Sequence, residues 1–555
     1  MELSPSRSVI WAIAGIVIIG GALRFCCISS KGLFFWDEGM HMQEAQCLCS
    51  VVAGLKRHVG AGALVRKIRE TVTGWDLSHV EDGLSSIRGE IRGRYPETAK
   101  PTHIALIASS MAIFGDRDYS GNVMSALLGT LTIAVVYFIG KRLGGTVVGL
   151  LGASLFAISP LHLIYSRETL AESDGAFFFY SAFLLWLRSK DCAARKAVCL
   201  LLAGICAGLS LTCNDRWIII PPIFLLLEVA SRGLNARKAM GNVFADYGLW
   251  VMGFCAPLVA WELIYYFLKN SLSLIPLDYF DQLWGRTVFH ARFSLGYEGL
   301  RAILMTIARF EGMATVLLLA CGVVALCMRR KREDAYLLIV LFFPVALYAF
   351  RPHHFLRIIS LAIPCFYLVI ANALGWMERA ASRPKPRGMI LVVVAVLTIL
   401  IAAPNLSRDA KIIHWRSRYG EAMEYLRGRV SVGHYATNRE LSAYYLGGAF
   451  VKRPPRKAKV GIGTVATAEF PYLIADKQRY FQTSFGPSPS DWVDDIEKKC
   501  KPVFEVREDL DGLFFDHFAF EHSVGYYATS AFLEGMSCPE AAMIRVYLWS
   551  DCLGR

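Results

Sequence analysis

Apolar residues in this chain come in long runs separated by short charged connections, a pattern that predicts a stack of membrane-spanning helices. The runs are Val9–Ile28, Val123–Ile139, Val147–Ile164, Phe177–Leu187, Ala197–Leu211, Trp217–Val229, Leu249–Leu268, Gly312–Met328, Ala335–Phe350, Ile358–Leu374 and Met389–Ala403. Several are short, so their ends are expected to extend by a turn or more. The count is therefore about eleven spans. Thr102–Phe114 is apolar but too short to cross, and it reads as an interfacial helix within a first external loop, 31–122. Past Asn405 the pattern changes to that of a soluble domain. Strands are expected over Arg429–Tyr435, Tyr472–Asp476, Val503–Val506 and Met543–Leu548. Helices are expected over Glu421–Leu426, Glu440–Leu446 and Trp492–Cys500. The fold class is mainly α: a polytopic helical bundle over 1–404, followed by a small α/β domain over 405–555.

Orientation follows from the basic loops. Lys141-Arg142, Arg188 to Lys196, Arg232 to Lys238, Arg329 to Arg332 and Arg379 to Arg387 fall at every second connection. Placing all of them inside puts the N-terminus in the cytoplasm and the C-terminal domain outside. Composition agrees with a membrane protein: 55% of residues are hydrophobic and only 19% are charged. The mean hydropathy is +0.41. The net charge of +13 would suggest nucleic acid in a soluble protein. Here the basic residues gather at the ends of apolar runs, which points to lipid headgroups instead. Most of the fifteen cysteines are scattered, many within apolar runs, and no CxxC pair occurs; Cys500, Cys538 and Cys552 leave room for one disulfide in the tail.

Two acidic segments share the external face. One is Phe34-Phe35-Trp36-Asp37-Glu38-Gly39, just after the first span; the other runs from Ser166 through Glu168 and Glu172 to Asp174 and Gly175. Carboxylates beside a membrane are costly to desolvate and are usually paired or functional. The plainer alternative is that Asp37 and Glu38 merely cap a helix. A basic set, Arg351, His353, His354 and Arg357, opens the tenth apolar segment on the same face. It suits forked contacts to phosphate as well as ordinary interfacial anchoring. The loop from Lys269 to Arg309 offers aromatic residues able to stack on a sugar, although a surface helix would look the same.

In order along the chain stand a first span ending in Arg24, then WDEG, then Lys100-Pro101, then a short apolar segment closing in Phe114-Gly115. SALLGTLTIAVVYFIGKRLGG from Ser125, SPLHLIYSRETLAESD from Ser159, GICAGLSLT and IIIPPIFLLLE follow. This ordered set resembles the GT-C membrane glycosyltransferases, in the branch of the protein O-mannosyltransferases and the lipid A aminoarabinose transferases. The resemblance covers about the first 230 residues well and later spans loosely. It implies transfer of a sugar from a polyprenyl-phosphate carrier to an acceptor hydroxyl, protein, lipid or glycan, with inversion. Asp37 takes the family's catalytic acidic position. Glu38 completes the pair as a metal ligand, a donor contact or a structural partner. Glu172 matches the second-loop acid, with Asp174 as its competitor. Lys100 matches the lysine that contacts the carrier phosphate, its alternative being simple snorkelling.

The chain departs from that pattern at Asn122, where an arginine is common, and at Thr102, where a second proline is usual. Asn214-Asp215-Arg216 stands where a lysine is often found. Ala99 replaces a metal-binding glutamate of the aminoarabinose enzyme, with Glu97 nearby. No cofactor is required by the sequence, and a divalent metal stays open. Two other function classes compete. A transporter or flippase would show internal repeats and ionisable residues at mid-membrane depth. A non-catalytic envelope assembly protein would not need Asp37.

Overall fold

The structure is a computed structural model describing residues 7–58, 99–191, 193–232, 240–270, 272–290, 298–349, 356–380, 384–429, 435–437, 441–446, 472–476, 500–511, 513–514 and 543–548. Every one of the eleven apolar runs is helical. The helices that matter first are α1 (Arg7–Phe25), α2 (Trp36–His58), α3 (Pro101–Phe114), α4 (Ser120–Gly144), α5 (Thr146–Ala157), α6 (Pro160–Ser166), α7 (Ala171–Ser189) and α8 (Lys196–Cys213). They are followed by α9 (Ile220–Arg232), α10 (Met240–Asn270), α11 (Tyr279–His290), α12 (Glu298–Phe310), α13 (Met313–Arg329), α14 (Arg332–Ala349), α15 (Ile363–Ala380) and α16 (Pro384–Ile413). Six stretches among the described residues are long and apolar enough to cross a membrane unaided, and α5 with α6 would make a seventh as a bent pair. The other runs fall below that measure for visible reasons. The helix α7 carries Glu172 and Asp174 in its first turn, α9 is 13 residues long, α13 is 17, and α14 opens on Arg332, Glu333 and Asp334. Segment Pro101–Phe114 is a short apolar helix, at 14 residues below spanning length.

The third apolar run is broken. Pro160 has no N–H to continue a helix, and Ser159 before it takes an extended conformation, so α5 and α6 meet at 64°. A break inside a bundle frees backbone groups that lipid cannot satisfy. Two distant helices supply the partners. Arg24, buried at the end of α1, donates to the freed carbonyl of Ala157 at 3.0 Å and meets His162 Nδ1 at 3.0 Å. Glu311, just past α12, accepts from Ser159 Oγ at 2.6 Å and from Leu161 N at 3.2 Å. Tyr367 and Asn405 hold the other oxygen of Glu311.

Helix α16 runs through Pro404 and ends at Ile413, so the helix continues past the composition change at Asn405. Beyond it come α17 (Tyr419–Leu426), β1 (Tyr435–Thr437), α18 (Ser442–Leu446), β2 (Tyr472–Asp476), β3 (Phe504–Arg507) and β4 (Met543–Leu548). The strands form one sheet in the order β1-β2-β4-β3, with β1 parallel to β2 and β4 antiparallel to both of its neighbours. Ile474, Val506, Ile544 and Val546 alternate onto one buried face, covered by Tyr419, Ala422, Met423 and Leu426 at helical spacing on α17. β2 and β4 match the expected bounds. β3 is shifted by one residue; of the expected strand Arg429–Tyr435, residues 430–434 lie outside the described residues, and Tyr435 is in β1. The expected helix over Trp492–Cys500 lies outside the described residues but for Cys500. Cys500 is disulfide-bonded, to a partner outside the described residues.

This C-terminal part is seated on the loop that leads into α2. Ser417 N donates to Lys31 O at 2.7 Å. Phe514 packs its ring 4.8 Å from Phe34 and 5.1 Å from Trp415. Gly32 sits at φ +69° with Ser417 O only 2.8 Å from where a Cβ would be, so both its conformation and its space require glycine. Replacing Phe514 by Ala empties that aromatic pocket. It should cost about 3–5 kcal/mol and lower the thermal unfolding temperature of the detergent-solubilised protein.

Candidate active site

The loop Lys31–Phe35 turns into α2 through Glu38. This carboxylate is fully buried and accepts the backbone N–H groups of Phe34 at 2.6 Å, Phe35 at 2.9 Å and Thr169 at 2.8 Å, with Lys31 Nζ at 3.4 Å. The first two donors lie ahead of the helix, where an acidic side chain in the first turn is electrostatically favoured. The third belongs to the turn between α6 and α7, so Glu38 joins the two acidic segments covalently far apart in the chain. Asn122 reinforces the joint: its Oδ1 accepts from Thr169 Oγ1 at 2.7 Å and its amide donates to Gly32 O at 3.4 Å. Of the three roles open to Glu38, the geometry is that of a structural partner.

Asp37 points the other way, into a nest of cations. Arg357 Nη1 lies 2.5 Å from Asp37 Oδ2; it comes from the 3-10 turn Leu356–Leu361 that precedes α15. Burial opposes ionisation of Asp37, but the cations around it, Arg357 first and then Lys100 and Arg216, outweigh it and hold the carboxyl well below the usual carboxylate range. It is therefore an anion at neutral pH. Lys100 caps the start of α3 and is buried, and burial lowers its pKa against the pull of Asp37. Thr102, the departure from Pro-Pro, anchors this corner: its hydroxyl meets Thr212 Oγ1 at 2.6 Å and accepts from Trp261 Nε1 at 2.8 Å, tying α3 to α8 and α10.

The second acidic segment divides in two. Glu172 accepts from Asn214 Nδ2 at 3.3 Å and faces Arg216 at 3.7 Å, so Asn214 and Arg216, which replace the family's lysine, both serve this carboxylate. Asp174 Oδ2 instead lies 2.7 Å from His103 Nδ1. His103 Nε2 meets His41 Nδ1 at 3.3 Å, and His41 Nε2 meets Lys100 Nζ at 3.4 Å. Burial, with Lys100 and His103 beside it, pushes His41 well below its usual value, so the imidazole is neutral. Glu168 is a further buried acid, raised well above the usual range by burial and by Glu38 and Glu172, against the pull of Lys31 and Arg357.

Asp37, Glu38, Lys100, Glu172, Asp174 and Arg357 thus share one site, on α2, α3, α7 and the turn before α15. Arg351, His353, His354 and Glu97 lie outside the described residues. Glu168, named in the second acidic segment, and Arg216, named at the departure Asn214-Asp215-Arg216, also belong to the site; His41 and His103 belong to it but were not singled out by sequence, and a histidine two positions after Lys100-Pro101 was the one available signal. A divalent metal does not fit this donor set. Each carboxylate already has a protein partner, three cations surround Asp37, and among the described residues no group of three His, Cys, Asp or Glu side chains could hold an ion. Lys269, in the last turn of α10, pairs with Asp278 at 2.6 Å; on α11, Tyr279 is buried against Tyr265 and Trp284 stands exposed.

A family model described as dolichyl-phosphate-mannose-protein mannosyltransferase matches residues 98–261, from just before Lys100 into α10. No curated protein matches the chain. Among solved structures, the chain is similar to ArnT from Cupriavidus metallidurans bound to undecaprenyl phosphate, with TM-score 0.57 and 11% identity, over 91% of this chain and 97% of that one. It is also similar to the oligosaccharyltransferase AglB from Archaeoglobus fulgidus in complex with an inhibitory peptide and a dolichol-phosphate. There the TM-score is 0.54 at 13% identity, over 86% of this chain and 70% of the other. These likenesses show the GT-C fold, and the chain resembles the GT-C membrane glycosyltransferases in both sequence and architecture.

Two outcomes follow from the site. Glu38→Gln replaces an accepting oxygen by a donor facing backbone N–H groups; it should cost about 1–3 kcal/mol of stability, read as a lower unfolding temperature. The folded pKa of Asp37 is depressed, so its pairing contributes stability above the ordinary carboxylate range and loses it as pH falls through the depressed value. Acid titration of unfolding should therefore be shallower in Asp37→Asn than in the parent.

Proposed function

We propose that this chain is an integral membrane glycosyltransferase that moves a sugar from a polyprenyl-phosphate donor, dolichyl or undecaprenyl, to an acceptor hydroxyl outside the cytoplasm. The observation that carries the reading is an ionised Asp37 among Lys100, Arg216 and Arg357, next to a membrane-embedded bundle. An acid alone would serve many roles. An acid that stays anionic within a cluster of cations suits a reaction joining proton removal to the departure of a phosphate.

In that reaction the acceptor oxygen attacks the anomeric carbon while the bond from that carbon to the phosphate oxygen breaks. The hydroxyl proton passes to Asp37, and the electron pair of the broken bond stays on the phosphate, which gains one negative charge. Lys100 and Arg216 face that developing charge from fixed positions, and no general acid is needed because the leaving group is a stable anion. One displacement inverts the anomeric configuration, and no enzyme nucleophile takes part. Arg357 holds Asp37 until the acceptor arrives. Glu172 sets Arg216, and Glu38 sets the backbone on which Asp37 stands. No step passes through a metal ion. Arg351, His353 and His354 are assigned to the same phosphate by their chemistry. The carrier chain would lie along the exposed apolar faces of the bundle.

An external site accords with the alternation of the five basic loops and with the disulfide at Cys500, a bond that persists in oxidising compartments. The acceptor is a hydroxyl on a protein, lipid or envelope glycan, and the C-terminal α/β region is the wall against which it binds. The test supplies purified protein in nanodiscs with radiolabelled polyprenyl-phosphate sugars and a membrane extract. Label should move to an acceptor fraction, and Asp37→Asn should slow it roughly 100- to 10,000-fold at a pH and temperature where the variant is shown to be folded. Equal transfer by Asp37→Asn removes the base assignment, and no transfer from any donor removes the reading.

A further inference from the structure

Asp174, His103, His41 and Lys100 form one hydrogen-bonded chain whose direction is fixed by its ends. Asp174 accepts, so His103 Nδ1 donates to it at 2.7 Å and His103 Nε2 is left with a lone pair. His41 Nδ1 faces two acceptors, that lone pair at 3.3 Å and Thr169 O at 3.1 Å, so it carries the proton. His41 Nε2 is then an acceptor, and it takes a hydrogen bond from Lys100 Nζ at 3.4 Å. Both imidazoles and Asp174 are fully buried, and the rings meet edge to face at 4.7 Å. The links come from α2, α3 and α7, so no one helix could make the chain alone.

A lysine ammonium is a compact charge on a flexible stem. Beside an ionised Asp37 its natural course is to swing onto that carboxylate and neutralise it. Resting on the function proposed above, we propose that His41, His103 and Asp174 are positioning residues that hold the Lys100 ammonium away from Asp37 and toward the carrier phosphate. Asp174 anchors the chain, His103 hands its orientation to His41, and the His41 lone pair fixes Lys100. The carboxylate of Asp37 thereby stays available as a base while the cation stays available to the phosphate. On this assignment Asp174 is not a second catalytic acid, and Glu172 is left as the acid nearer the cations.

The test is the affinity of nanodisc-embedded full-length protein for undecaprenyl phosphate and dolichyl phosphate, with the uncharged prenols as controls. His41→Leu should weaken binding of the phosphates about tenfold and leave the prenols unchanged, whereas His41→Gln, whose amide oxygen accepts as Nε2 does, should hold binding within about twofold. Asp174→Asn, which keeps the shape, should weaken binding in the same direction and gives an independent reading if His41→Leu does not fold. In a Lys100→Met background His41→Leu should have no further effect. Equal losses with and without Lys100, or losses shared by the prenols, would mean that the chain only packs the core and would overturn the proposal. Parent protein that binds the phosphates while all three variants bind equally well overturns this inference alone. Parent protein that binds neither carrier overturns the function with it.

Discussion

The candidate site depends on one carboxylate bonded to the backbone. Glu38 collects backbone N–H groups from both sides of the active site, two from its own approach loop and one from the turn before α7. Without it those donors would be buried beside apolar rings of Phe34 and Phe35 with nothing to bond to, at a cost that neither loop could carry alone. With it, Asp37 on α2 and the acids opening α7 are held in one frame. Adjacent residues thus face different partners: Glu38 is bonded to backbone N–H groups, and Asp37 to the Arg357 guanidinium.

Charge balance explains the rest of the arrangement. A cluster of like charges at a membrane face would be expelled or neutralised, so the site alternates sign: Glu172 against Arg216, Asp37 against Arg357, Asp174 against the imidazole chain that ends on Lys100. Among these pairs each anion thus has a cation or a donor set of its own. That is the electrostatic opposite of a metal site, where the acids are left facing one another across an empty centre.

What the sequence made legible was local, and what it hid was distant. The helical runs, the strands β2 and β4, and the positions of Asp37 and Lys100 could be read from hydropathy and ordered motifs. Arg357 could be nominated by its chemistry, although its partner lies 320 residues away. His41 and His103 could not, because an isolated histidine in an apolar stretch reads as packing, and these two meet only when α2 and α3 cross, 62 residues apart. For Glu38 the sequence left a structural role beside a metal-ligand and a donor-contact role, since a carboxylate in a first helical turn looks the same whether it clasps backbone or faces a ligand. Asn122 and Thr102 registered only as departures from a family pattern. In the fold each makes contacts that a longer or ringed side chain would not make.

The broken third span gives the N-terminal helix a standing that its hydropathy conceals. By composition α1 is a plain anchor, most of it turned to lipid. At its last turn, however, Arg24 closes the carbonyl left open by the bend at Ser159–Pro160 and meets His162 inside the bundle. The bend in turn delivers Arg167 through Leu170, the stretch that Glu38 grips. An unrelated hydrophobic leader could replace α1 for insertion into the bilayer, but it would leave the bend uncapped and the grip on Thr169 unsupported. The first helix is therefore a keystone of the frame around the candidate site, and a fusion or tag that severs it from the bundle removes part of that frame rather than a tether.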